Sequence, residues 1–241
     1  MHRRDRKTWA RGREGDLPRV VRAGLATRVA RLIGGSRGIL SVVLGSVLLV
    51  SPAYAAAPGG AQETIVFMRH GEKPAQGLGQ LDCQGLNRSL ALPRALLAKF
   101  GRPDEIFAPD PGHQMVDNGV AYNYIRPLAT IEPTAIQLGM PVNTQFGAEQ
   151  IDALQQALLT PANAHALIFV AWEHTLLTML VRHLIALGGG DPASVPAWPG
   201  SEFDSLFVVR VAQLDGKVST VFVRDAEGLN NQPTTCPVPH A

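Results

Sequence analysis

The chain has 241 residues, of which 46% are hydrophobic and 17% are charged, and its formal net charge is +2. The first 55 residues hold eleven of the 22 Lys and Arg but three of the 20 Asp and Glu, so the remaining 186 residues carry a net charge of −6. This acidic remainder excludes a basic surface for nucleic acid, and it is long enough for one domain with a sizeable core.

The amino-terminal segment has the pattern of a secretory signal peptide. Within residues 1–55, a basic leader precedes the apolar run Ile39–Val50 and an Ala-x-Ala site at Ala53–Ala55. The apolar run has twelve residues, whereas a membrane span needs about 20, so we expect no stable span after cleavage. An uncleaved anchor is the alternative. The pattern predicts export to the periplasm or the medium, with a linker at 56–63 and one domain at 64–241.

Strand and helix patterns alternate along this domain. Apolar strands without polar alternation, separated by helices, predict an α/β fold, a three-layer sandwich with a mainly parallel central sheet. The predicted elements are a strand at Thr64–Arg69, a helix at Leu86–Phe100, a short strand at Asp104–Asp110, a helix that begins at Pro127 and ends just before Gly139, a helix at Ala148–Leu159, a strand at Ala166–Trp172, a helix at Thr175–Leu187 and a hairpin around Asp215-Gly216.

Two of the apolar strands end in histidine. Arg69 and His70 close the first, Glu173 and His174 follow the later one, and Arg126 opens a helix after the short strand. A single His or Arg at such a position is more often structural. Because ligands of a parallel sheet bind at the carboxyl ends of its strands, we expect these side chains to meet there. The loop residues Glu72 and Lys73, in contrast, are predicted to be a solvent-exposed pair.

This combination of residue types fits a phosphoryl group. The planar guanidinium binds two phosphoryl oxygens at once and remains charged at any working pH. A neutral imidazole can attack phosphorus, and a second histidine can donate a hydrogen bond to the charge of the transition state. The pattern therefore predicts a site for a small phosphorylated substrate.

Four segments in the order found here resemble the motifs of the histidine phosphatase superfamily, which has the phosphoglycerate-mutase-like fold. They are "FMRHGEKP", "LDCQGLNRSLALPRAL", "RPLATIEPTA" and "LIFVAWEHTLL", and the resemblance extends over about Thr64 to Val223. It implies that His70 forms a phosphohistidine while Arg69, Arg126 and His174 hold the phosphoryl oxygens. It also implies that the reaction requires neither a metal nor an organic cofactor.

The resemblance leaves the proton donor open. In many members of the superfamily the acid lies some 25 residues after the second arginine, which points to Glu149 or Asp152. Glu173, beside His174, is the slightly favoured candidate, and its alternative role is to orient Arg126 or Arg69. A phosphomutase, or a binding protein that has lost its acid, is the competing function.

Cys83 and Cys236 both lie in the part predicted to be exported. An oxidising compartment permits a disulfide between them. Two free thiols are an equally weighted alternative.

Overall fold

The computed structural model describes residues 61–214 and 217–238. The predicted signal segment and the tip of the predicted carboxyl-terminal hairpin lie outside these residues. The described elements are β1 (Ala61–Arg69), α1 (Cys83–Phe100), β2 (Glu105–Phe107), β3 (Gln114–Asp117), β4 (Val120–Asn123), α2 (Arg126–Leu138), α3 (Ile151–Leu158), β5 (Leu167–Trp172), α4 (His174–Leu187), β6 (Ser205–Leu214) and β7 (Lys217–Ala226).

The central sheet has the strand order β2-β5-β1-β6-β7. β5 pairs in parallel with β2 and with β1, whereas β6 pairs antiparallel with β1 and β7 pairs antiparallel with β6. The predicted α/β fold with helices around a central sheet is confirmed. Its parallel part is the core of three strands, and the predicted carboxyl-terminal hairpin continues the sheet as two antiparallel strands.

Side chains that alternate along β1 supply the core on both faces of the sheet. Ile65 and Phe67 pack with residues of α3 and α4, and Val66 and Met68 pack with residues of α1 and α2. All four side chains are fully buried. Burial of each one stabilises the fold by about 1.5–3 kcal/mol. A strand apolar on both faces therefore forms the middle of a three-layer sandwich, and its carboxyl end is held rigidly.

The first strand is longer than the sequence analysis predicted. Gln62 and Glu63 pair with Ala212 and Val211 of β6, and the strand begins at Ala61. Residues 61–63, which were predicted to belong to the linker, are therefore part of the sheet. The reason is that β6 has ten residues and continues the antiparallel ladder beyond Thr64.

A second, two-stranded sheet lies between Asp110 and Pro127, where no strand or helix was predicted. β3 and β4 form this hairpin, and its tip has positive φ angles at Asn118 (51°) and Gly119 (81°). Such a pair of left-handed residues makes the tight turn that Asn-Gly favours. The hairpin lies between β2 and α2, so it comes just before the helix that carries Arg126.

Within residues 61–214 and 217–238, no helix is long and apolar enough to cross a membrane.

A disulfide connects the start of α1 to the carboxyl-terminal tail. Cys83 and Cys236 are joined, with 4.5 Å between their Cα atoms. The Asn87 side-chain amide donates hydrogen bonds of 2.8 Å to the carbonyl oxygens of Pro233 and Thr235. The tail, which lies beyond the last strand, is thus held against α1 by one covalent bond and two hydrogen bonds.

Removing this disulfide should destabilise the protein markedly. The crosslink joins residues 153 positions apart, and closing so long a loop in the unfolded chain corresponds to as much as about 5 kcal/mol. We expect the double variant Cys83→Ser/Cys236→Ser to lose about 2–5 kcal/mol of unfolding free energy, measured by urea denaturation. Thiol titration of the denatured wild type should find no free thiols before reduction and two afterwards. Two free thiols before reduction would contradict the crosslink.

Candidate active site

His70 lies at the carboxyl end of the central strand and is nearly completely buried. Its backbone amide donates to the carbonyl oxygen of Trp172, and its ring Nδ1 lies 2.7 Å from the carbonyl oxygen of Gly71. A carbonyl can only accept, so Nδ1 carries the proton and Nε2 keeps its lone pair. Burial, together with the charges of Arg126 and Arg69, lowers the pKa of His70 to about 3. The ring is therefore neutral at physiological pH.

The loop after His70 crosses the first turn of α1 at very short range. A Cβ atom added to Gly85 would lie 2.3 Å from the Glu72 carbonyl oxygen, and one added to Gly71 would lie 3.0 Å from the Gly85 backbone. The Asp82 side chain caps this helix by accepting from the Gly85 amide. On the other side, the Gly71 amide donates to the Thr130 hydroxyl at 2.9 Å. A side chain at Gly85 would push the loop away from the helix, and one at Gly71 would require the helix backbone to shift by a few tenths of an ångström.

Arg69 is held by the segment that precedes β6. One of its terminal nitrogens, Nη1, donates to the carbonyl oxygens of Gly200 and Glu202 at 2.8 Å and of Pro199 at 3.4 Å. The guanidinium carbon lies 3.8 Å from the centre of the Phe203 ring. Nε, which is buried, has no partner among the described residues. The backbone carbonyls thus fix the side chain while Nε remains able to bind an anion.

Arg126 begins α2 and is paired with an acid of the β3–β4 hairpin. Its Nη1 donates to the carboxylate of Asp117, which also accepts from Lys73 Nζ at 2.7 Å. Burial raises the pKa of Asp117, but the hydrogen bonds from Lys73 and Arg126 outweigh burial and hold the pKa below its usual value. Lys73 therefore belongs to an ion-pair cluster, and its predicted place in an exposed pair is corrected.

Glu173 and His174 form the junction between β5 and α4. Oε1 of Glu173 lies 2.5 Å from Nδ1 of His174, and Oε2 accepts from the Leu176 amide at 2.8 Å, which caps the helix. Burial raises the pKa of Glu173, but the contact with His174 and the helix amide outweigh burial and lower it to about 2. The carboxylate is ionised at neutral pH, and it orients His174 rather than either arginine of the site.

The two other candidate acids differ in their positions. Glu149 follows Ala148, whose carbonyl oxygen accepts a 2.8 Å hydrogen bond from the Trp172 indole at the end of β5. The Glu149 carboxylate is exposed, and no hydrogen bond from it is found within the described part of the chain. Asp152 lies in the first turn of α3 and is also exposed. Glu149 is therefore the candidate beside the carboxyl edge of the sheet.

Glu72 is not exposed, contrary to the prediction, because it pairs with a buried arginine. Arg88, with 1% of its surface exposed, donates to Glu72 from Nε and Nη2, to Asp204 at 3.3 Å and to Glu227 at 2.6 Å. Three carboxylates face one guanidinium, and burial raises the pKa of Glu227 to about 8. A proton on Glu227 offsets part of the excess negative charge. This cluster anchors the loop that follows His70.

The sequence analysis placed Arg69, His70, Arg126, Glu173 and His174 at one edge of the sheet, and the structure brings them there. The pKa of His70 is affected by the charges of Arg126, Arg69 and Glu173, as expected for side chains that lie close to it. Three residues of the site region were not predicted from the sequence: Tyr124, Asp117 and Arg88. The burial of Arg88 was predictable, because Arg88 lies four and eight residues before Leu92 and Leu96, on the same buried face of α1.

No family model matches this chain, and no curated protein matches it. Among solved structures, phosphoglycerate mutase from Plasmodium falciparum shares 12% identity at a TM-score of 0.45, covering 75% of this chain and 99% of its own. A mycobacterial glucosyl-3-phosphoglycerate phosphatase shares 16% identity at a TM-score of 0.45, and the match covers 67% of this chain and 95% of the phosphatase. A phosphoserine phosphatase mutant from Entamoeba histolytica shares 10% identity at a TM-score of 0.43, and the match covers 69% of this chain and 98% of the mutant. Each TM-score is below 0.5, so function has to be inferred from the site.

Replacing Arg88 should destabilise the protein strongly. Arg88→Met keeps an unbranched apolar stem but leaves carboxylates buried without their cation, a change that typically costs about 3–5 kcal/mol. Arg94→Met is the matched control, because Arg94 lies on the same helix and is exposed. We expect the control to change the unfolding free energy by less than about 0.5 kcal/mol. Equal effects of the two variants in urea denaturation would contradict a structural role for the cluster.

Proposed function

We propose that this chain is a phosphatase of the histidine phosphatase superfamily and hydrolyses a small phosphomonoester through a phosphohistidine. The observation that carries the proposal is the state of His70. A buried, neutral imidazole whose Nδ1 proton is held by the Gly71 carbonyl presents an unprotonated Nε2, and it is subject to the charges of two guanidinium groups. This is the arrangement that an attack on phosphorus requires.

In the proposed reaction, His70 Nε2 forms a bond to phosphorus while the bond from phosphorus to the leaving oxygen breaks. The leaving oxygen takes a proton from a carboxylic acid. Water then attacks the phosphohistidine, the same carboxylate accepts the proton of the water, and inorganic phosphate is released. Arg69, Arg126 and His174 hold the phosphoryl oxygens, and the charges of the two arginines and the hydrogen bonds of all three side chains stabilise the transition state.

For the proton donor we propose Glu149 in place of Glu173. Glu173 uses both carboxylate oxygens within the protein and is ionised, so its role in this proposal is to orient His174 as a donor to the phosphoryl group. Glu149 lies beside the end of β5, and its carboxylate has solvent access, as a group that exchanges protons with water requires. The leaving group would then lie towards the turn at residues 146–150.

Export is part of the proposal. The signal-like segment at 1–55 supports it, and so does the disulfide between Cys83 and Cys236, because disulfides persist mainly in oxidising compartments. An exported enzyme is separated from the cytosolic substrates of a glycolytic mutase, so hydrolysis is favoured over phosphoryl transfer between sugars. Adding a chelator to the assay tests the expectation that no metal takes part.

His70→Ala should remove essentially all turnover, because the attacking nitrogen is lost. We expect a decrease in kcat of at least about 10⁴-fold on a panel of phosphomonoesters. Brief incubation of the wild type with labelled substrate should trap a phosphoenzyme that is alkali-stable and acid-labile, and the variant should trap none. A variant that retains a tenth of the activity would contradict the nucleophile. Phosphate binding without turnover in the wild type would indicate a binding protein instead.

The acid can be assigned by comparing two leaving groups. An alkyl phosphate needs a proton on its leaving oxygen, whereas p-nitrophenolate leaves readily without one. Glu149→Gln should therefore lower kcat about 10²-fold or more on an alkyl phosphate and much less on p-nitrophenyl phosphate.

Asp152→Asn is the matched control and should leave both rates unchanged. Glu173→Gln should lower both rates to a similar extent, because it disturbs His174. The assignment to Glu149 is wrong if Glu173→Gln, and not Glu149→Gln, distinguishes the two substrates.

A further inference from the structure

Tyr124 has a buried hydroxyl group whose proton has no acceptor in the described part of the chain. One per cent of the residue surface is exposed, and the oxygen itself is inaccessible to solvent. The neighbouring Arg126 can only donate to this oxygen, so it cannot take the hydroxyl proton. A buried donor left without an acceptor costs about 1–3 kcal/mol, and buried polar groups are therefore nearly always paired. The O–H group calls for an acceptor that the described residues do not supply.

The Tyr124 ring lies against the proposed nucleophile and the second arginine. Its ring centre is 6.1 Å from that of His70, with the two rings nearly perpendicular at 89°. The guanidinium carbon of Arg126 lies 4.9 Å from the centre of the tyrosine ring. The Arg126 guanidinium acts on the hydroxyl oxygen through its charge and as a nearby donor, and the charges of Glu173 and Arg69 also act on it. The hydroxyl is therefore grouped with the side chains proposed to surround the phosphoryl group.

The hydroxyl can act as a donor at any working pH. Burial raises the pKa of Tyr124 above its ordinary value, so the proton stays on the oxygen. A further donor is useful here because both arginines have already used part of theirs. Nη1 of Arg69 donates to three backbone carbonyls, and Nη1 of Arg126 donates to Asp117. Each oxygen of a phosphoryl group can accept more than one hydrogen bond, so a further donor finds an acceptor there.

We propose that the Tyr124 hydroxyl is a further phosphate-binding group, which donates a hydrogen bond to a phosphoryl oxygen of the substrate. The inference rests on the proposed function in that it places a phosphoryl group beside His70. The contact is made with inorganic phosphate as well as with the ester. It persists while Nε2 of His70 attacks, because the non-bridging oxygens stay attached to phosphorus throughout the reaction.

Tyr124→Phe tests this assignment, because it keeps the ring against His70 and Arg126 and removes a single oxygen. Tyr122→Phe is the matched control, a half-buried tyrosine two residues earlier in β4. We expect Tyr124→Phe to weaken inorganic phosphate binding, measured by calorimetry, and to lower kcat/KM, each by about 10- to 100-fold. This is the usual loss for a hydrogen bond to a charged group. The control should change neither quantity more than about twofold.

Thermal unfolding without phosphate separates binding from a structural role. Because the variant loses an unpaired hydroxyl, its melting temperature should equal or exceed that of the wild type. A variant that melts clearly lower and binds phosphate normally would overturn the inference.

Wild-type kinetics in Tyr124→Phe, in an enzyme that His70→Ala inactivates, would overturn this inference and leave the proposed function standing. A wild type that neither binds phosphate nor turns over any ester would overturn both.

Discussion

The guanidinium of Arg88 is a charge removed almost completely from water, and such a charge is tolerated only where carboxylates surround it. Its partners come from distant parts of the chain: Glu72 from the loop after His70, Asp204 from the position before β6, and Glu227 from the position after β7. The cluster therefore fixes this loop relative to the open end of the β6–β7 hairpin. Displacing any one of these segments would leave a buried charge without its partner.

The same hairpin also determines where the first arginine of the site can lie. Oε1 of Glu202 accepts from the amides of Asp204 and Ser205, at 2.7 and 2.9 Å, and its carbonyl oxygen accepts from both Arg69 and the Trp198 indole. The short segment before β6 thus links the buried cluster to the guanidinium of Arg69. Donors held in this way would need little rearrangement when charge develops on the phosphoryl group proposed to bind here, which is the condition for electrostatic stabilisation of a transition state.

Local sequence patterns were sufficient to predict the core strands and the residues at the carboxyl edge of the sheet. The reason is that an apolar strand followed by charged residues is visible in a few consecutive positions. Asp117 and Tyr124 were not predictable in this way, since each acquires its role by packing against residues from other elements. Asn118-Gly119 was a usable hairpin signal that the sequence analysis did not apply. Arg88 was visible as a charge in an apolar stripe, but the spacing could not identify which carboxylates face it.

The disulfide from Cys83 to Cys236 closes a covalent ring that contains every described helix. β1 and His70 lie in the amino-terminal segment that precedes this ring. A protease that cuts one peptide bond inside the ring, for instance at the exposed Asn118 of the hairpin tip, would therefore release no fragment. The two pieces would migrate as one molecule until a reductant separated them. A single cut at the surface would therefore open the ring without removing any part of the chain.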